Sequence, residues 1–277
     1  MGMSKKKELE KRMFAHRDAL KDFAEGRYDK PKVETVSASE IVDFLQRSAE
    51  GHARLYRYTK INRIEEMLES KRLCFSRLLE MNDLREYKNV DDANRTYIAC
   101  FSFGNLENMA MWKMYGGDDN KSVRVSFDNK RVVEWVKGLK AKKHFYRDSE
   151  IKETIDVNQI ESITFHDIAY AYGKALMWNH KVVGMSRCRE LEKPFEIREL
   201  QGYIKDFGWA SENEVRIIVK LKKCDPKLKR IFADFSSVIN TMEVLSGPVN
   251  DKFQKIKGLM SMYDIIRVDN SKASVIF

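Results

Sequence analysis

Short strand-like runs recur along the chain at irregular intervals, and no regular strand–helix alternation joins them. In "LYRYT" (55–59), Leu55, Arg57 and Thr59 point to one side of a strand and Tyr56 and Tyr58 to the other. "RLCFSR" (72–77), "RTYIACFSF" (95–103), "SITFHDIAYA" (162–171) and "TMEVLSGP" (241–248) also read as strands. "SVRVSFD" (122–128) sets Val123, Val125 and Phe127 against Arg124 and Ser126, as a half-buried strand does. One or two more strands are expected in 263–277. Helical spacing runs between them at 61–70, 107–116, 131–139 and 251–260, with Thr59 or Asn62 expected to cap the first. Residues 179–207 read as mostly helical or irregular, broken at Pro194. No G-x-G-x-x-G and no Walker loop is present. The expectation is an α+β fold: a mixed, largely antiparallel sheet with flanking helices.

The first strand is preceded by a different kind of sequence. Residues 1–30 carry an imperfect apolar stripe among charges, and 26–39 read as a linker. Ser39 then caps a short helix through Ile41, Val42, Phe44 and Leu45. Residues 1–53 are expected to be a helical N-terminal extension and linker, and 54–277 a single α+β domain. The charged start lacks the apolar run of a secretory signal, and no stretch is long enough to cross a bilayer. Cys74, Cys100, Cys188 and Cys224 form no C-x-x-C pair and are expected as reduced thiols of a cytoplasmic protein. The five histidines show no metal-ligand spacing, so no metal site is expected. The formal net charge of +9 permits a polyanionic partner, RNA or DNA. Two lysine-rich stretches, 137–152 and 220–230, are either solvated surface or part of such a surface. No sequence feature sets an oligomeric state.

Candidate chemistry gathers around "GWASENEVRIIVK" (208–220). An apolar run is entered through Glu212 and Glu214, with Arg216 on the same alternation. Taken alone, the two acids read as ion-pair partners of Arg216 and Lys220. Taken with Arg57, Ser102, Trp112 and Tyr115, they supply the parts needed to cleave an N-glycosidic bond to a cationic leaving group. An arginine holds a pyrophosphate, a ring stacks on nicotinamide, and a carboxylate steadies the developing ribose cation. Paired acids at Asp91/Asp92, Asp118/Asp119 and Glu212/Glu214 leave a metal-dependent nuclease open. A non-catalytic basic binding module is the third reading.

The motif order resembles a widespread, mostly bacterial domain family of unknown function. Its marks here are 55–59, Asn82-Asp83-x-x-Glu86, Cys100-Phe101-Ser102, Met111-Trp112-x-x-Tyr115-Gly116, 123–128, Glu212-x-Glu214-x-Arg216 and Glu243-x-x-x-Gly247-Pro248. The resemblance spans roughly residues 55–277. This chain departs at Leu84 and Arg85, where a Pro and an aromatic are usual, and has Arg57 where many relatives have His. The family is in turn similar to ADP-ribosyltransferases. That likeness implies an ADP-ribosyltransferase-like fold, NAD as substrate, and Arg57, Ser102, Glu212 and Glu214 as catalytic residues. Tyr56, Tyr58, Thr59, Trp112 and Tyr115 would join Arg57 around the NAD. It also implies a macromolecular acceptor, an anti-phage or toxin setting, and an antitoxin or regulatory protein as a possible partner.

Overall fold

The computed structural model describes residues 38–81, 90–104, 106–116, 122–147, 153–172, 175–178, 181–185, 200, 202–248, 258 and 267–270. The expected helix at 1–30, the linker before Ala38, Asn82–Glu86, Asp118, Asp119, Cys188 and Pro194 lie outside these residues, as does almost all of 251–260. A helix, Ala38–Glu50, precedes the first strand. The strands are β1 (Arg54–Lys60), β2 (Arg72–Arg77), β3 (Thr96–Ser102), β4 (Ser122–Asp128), β5 (Phe145–Tyr146), β6 (Thr154–Ile155), β7 (Ile160–Asp167) and β8 (Ala169–Tyr172). They continue as β9 (Ala175–Trp178), β10 (Lys181–Met185), β11 (Ile204–Asp206), β12 (Glu214–Leu221), β13 (Arg230–Asp234), β14 (Glu243–Ser246) and β15 (Arg267–Asn270).

Two sheets result. The larger runs β15-β14-β4-β1-β3-β2-β13-β5-β6, with β12 joining β3 to β7; the smaller runs β10-β9-β8-β11. Among the described residues, β14–β15 and β8–β11 pair in parallel and the other paired strands are antiparallel. The fold is therefore α+β with a largely antiparallel sheet. The stretch 179–207, expected as helical or irregular, instead contributes β10 and β11. Their strand geometry comes from pairing with β9 and β8, a tertiary cause that local spacing does not encode.

Most of the β12 side chains are buried because the strand is hydrogen-bonded on both edges, to β3 and β7. Val215, Ile217 and Val219 face the main core with Phe101, Phe127 and Ile231. The helix Ile61–Ser70 covers that core with Ile61, Ile64, Met67 and Leu68. It starts without the expected side-chain cap: Lys60 is the boundary residue, in extended conformation, and makes no capping bond. The helix Asn129–Lys142 is capped by the Asp128 carboxylate, which accepts from the Arg131 N–H. The Ala38–Glu50 helix packs Ile41, Phe44 and Leu45 against Ala169, Leu176 and Ile204 near the smaller sheet. Just past its end, His52 Nε2 lies 2.8 Å from the buried Asp167 carboxylate. No helix among the described residues is long and apolar enough to cross a membrane.

One irregularity opens the sheet. β3 pairs with β12 along its whole length. Its other edge is shared, by β1 at Tyr56↔Ser102 and by β2 at Ser76↔Ile98 and Arg77↔Tyr97. β1 and β2 thus part over residues 99–101, and side chains from all three strands face the gap.

Candidate active site

The gap leads into a cleft of about 180 Å³. Arg57 and Thr59 enter it from β1, Ser76 from β2, Cys100 and Ser102 from β3, and Glu214 from β12. Glu212, Tyr115, Tyr56 and Tyr58 also line it, with Lys205 from β11. All the sequence-selected residues except Trp112 therefore meet here. Trp112 is buried, its ring edge-on to Tyr58 at 4.9 Å and its Nε1–H donating to Glu107. It packs edge-on against Tyr58 outside the cleft lining. Tyr58 in turn accepts a hydrogen bond from the Asn108 N–H.

The two acids do not sit on one strand. Glu212 ends the 3-10 helix Phe207–Glu212, and β12 begins only at Glu214. Asn213 between them is left-handed (φ 45, ψ 56), a conformation that asparagine tolerates better than most residues. This corner, not strand alternation, brings both carboxylates to the cleft. The Asn213 carbonyl accepts from the Phe103 N–H, tying the corner to the end of β3.

Four buried charges then interlock. Arg216 donates to both oxygens of Glu214, from Nε at 2.7 Å and Nη2 at 3.0 Å. Lys205 Nζ bridges the acids, 2.7 Å from Glu212 Oε2 and 3.2 Å from Glu214 Oε2. Tyr115 donates its hydroxyl proton to Glu212 Oε1. Two cations against two carboxylates leave the cluster neutral, which makes its burial tolerable. Lys220, the other expected partner of the acids, instead lies near Asp92 and Glu161.

The cluster drives the two carboxyls apart. Burial pushes Glu214 up, but Arg216 and then Lys205 outweigh it and hold the carboxyl at about 2. Burial and the Glu214 charge raise Glu212 above the usual carboxylate range, against the pull of Lys205 and Tyr115. Relative to an ordinary carboxyl, Glu214 is thus held toward its anionic form and Glu212 toward its protonated form. Burial first, then the charge of Glu214, raises the Cys100 thiol well above its ordinary value. Behind the acids, Tyr170 accepts from the Glu214 N–H. His166, opposite Arg216, is lowered to about 3 chiefly by burial and stays neutral.

Sequence reasoning missed Lys205, which sits in the stretch expected as helical or irregular. Its local signal is slight: one lysine between Ile204 and Phe207 in "YIKDF" (203–207).

A second cavity, about 240 Å³, shares Arg57, Thr59 and Ser76 with the cleft and adds Arg63, Arg72 and Arg230. Arg63 pairs with Glu66. Among the described residues, no hydrogen bond or ion pair ties Arg57 or Arg230. Two arginines without counter-ions beside a neutral acid–base cluster make an anion-receptive space.

Asp92, one of the acids considered for a nuclease, is bound by Arg95 and is not part of the cleft. No group of three or more His, Cys, Asp or Glu side chains placed to hold a metal ion occurs among the described residues. No protein-family model matches the chain, and no curated protein matches it significantly.

Proposed function

We propose that this chain is an ADP-ribosyltransferase-like enzyme that cleaves NAD and passes ADP-ribose to a macromolecular acceptor, nucleic acid or protein. It would act in the cytoplasm, as an effector of the anti-phage or toxin kind. The observation that carries the reading is the meeting of Arg57, Ser102, Glu212 and Glu214 in one cleft from separate parts of the chain.

Arg57 binds the pyrophosphate, at the junction of the cleft and the arginine-lined cavity. Tyr56 or Tyr58 packs on the nicotinamide ring, and Ser102 positions its ribose. The C1′–N bond breaks and its electron pair passes to the ring nitrogen, so the leaving group departs neutral. Glu214, held as an anion, steadies the positive charge left at C1′. The acceptor's lone pair forms the new bond to C1′, and its proton passes to Glu212. The divergence of the two carboxyls, one anchored low and one raised, matches this division of labour.

The alternative favoured by one observation is a non-catalytic binding module, because both oxygens of Glu214 are already engaged by cations. Incubation with NAD labelled in its adenylate half, together with RNA, DNA or lysate protein, separates the two. Label transferred by the wild type and lost in Glu212→Gln supports the enzyme. Ligand binding with no NAD consumed under any condition supports the module. Metal-dependent cleavage of nucleic acid without NAD would establish a nuclease.

A further inference from the structure

We infer that the acceptor is a single-stranded nucleic acid, held in a ring-lined trough that is bordered by a cation-rich helix and begins where the arginine cavity ends; the acceptor role rests on the transferase reading above. Arg72 is the junction. It lines the cavity, and its guanidinium lies 3.7 Å over the ring of Tyr146. Tyr146 and His144, with rings 4.8 Å apart at 75°, line a separate trough of about 880 Å³. Arg131, Trp135 and Lys142 form much of its remaining wall.

The chemistry of this wall is specific. Rings beside cations offer stacking faces for bases and charge for phosphates, the pairing that single strands need and paired bases do not use. Two acids also line it, Glu134 paired with Arg131 and Asp234 accepting from the backbone and hydroxyl of Ser236, so the surplus of positive charge comes from the bordering helix and the arginine cavity. The helix bordering the trough, Asn129–Lys142, carries Lys130, Arg131, Lys137, Lys140 and Lys142 against Glu134 alone. A strand in the trough meets cations along its phosphates and reaches, through Arg72, the cavity beside Arg57. Its exposed bases or sugar hydroxyls would supply the nucleophile.

The test is a titration of labelled single-stranded RNA, single-stranded DNA and the matching duplexes with the full chain, at about 0.1 M salt. Single strands should bind tighter than duplexes, and the RNA and DNA arms identify the sugar. Lys142→Glu and Tyr146→Ala should each weaken binding by about tenfold or more. Lys223→Glu, the same charge change at an exposed lysine on neither the trough wall nor its bordering helix, should stay within about threefold of wild type. Thermal unfolding of each variant checks that it is folded, and exposed Lys142 tests the trough even if Tyr146→Ala is destabilised. No binding, preference for duplex, or equal losses at Lys223 and Lys142 overturns the proposal. Nicotinamide release from NAD by wild type is measured separately, with RNA, DNA and lysate protein each supplied as acceptor. Strand binding with no release keeps the trough and sinks the transferase reading, whereas release with no strand binding does the reverse.

Discussion

Glu214 stands directly opposite Ser102 across the β3–β12 ladder, and Ser102 stands opposite Tyr56 across its other edge. One residue at the end of β3 therefore fixes the spacing between the first-strand and late-strand halves of the cleft. Arg57 follows Tyr56 in the chain and Glu212 lies two residues before Glu214, so the local geometry is open to direct test.

The first test is the corner at Asn213, whose φ of 45° is unfavourable for a branched side chain. Asn213→Val should cost about 1–2 kcal/mol in denaturant unfolding, and Asn213→Gly should cost much less. If valine is tolerated as well as glycine, the left-handed corner does not set the placement of Glu212.

Glu214 predicts an acid-sensitive stability. Its carboxyl lies at about 2 in the fold against an ordinary 4.5, so its stabilisation is present above 4.5 and is lost as pH falls towards 2. Glu212 is raised, so its ionisation costs stability as pH rises above 4.5 and partly offsets this. Glu214→Gln leaves Arg216 buried beside a neutral partner and should lose about 3–5 kcal/mol near pH 7. The gap to wild type should narrow by about pH 3, where wild-type Glu214 is nearer its own protonation. Unfolding midpoints at both pH values check this.

The strands carrying this site were largely legible, but their assembly was not. Alternation exposes β1 and β4 because each has faces of different polarity, and the apolar run exposes β12 because both its edges are covered. Arg57, Ser102 and Glu214 were recognisable on their strands. The splitting of β3's edge between β1 and β2 depends on pairings between distant segments, which no local pattern records. Glu212 reads as strand from sequence because "ENE" fits alternation as well as it fits a corner. Lys205 gives no signal for a related reason: a lysine is ordinarily solvated, and only the fold buries it between two carboxylates.

Tyr115→Phe tests the proton-exchange role of Glu212. The Tyr115 hydroxyl donates to the carboxylate and so favours its ionised form. Without that donor the Glu212 carboxyl rises further, and the acid limb of kcat/KM for ADP-ribose transfer should move to higher pH. An unchanged limb would remove Glu212 from the role of base.

Arg57→Ala separates binding from stability. Among the described residues no hydrogen bond or ion pair holds its guanidinium, so the unfolding midpoint should barely change. The KM for NAD should rise by roughly tenfold to a hundredfold as the pyrophosphate loses its cation. Arg57→Lys should recover only part of this, since lysine lacks the planar fork.

The most direct measurement is release of nicotinamide from NAD by the purified full chain, compared with folded Glu212→Gln and Arg57→Ala proteins. Sustained release by the wild type in the presence of an acceptor, with both variants reduced by at least about tenfold, is the predicted result. Wild-type protein that releases no nicotinamide with RNA, DNA or lysate protein present, or variants as active as wild type, would contradict the assignment of this cleft.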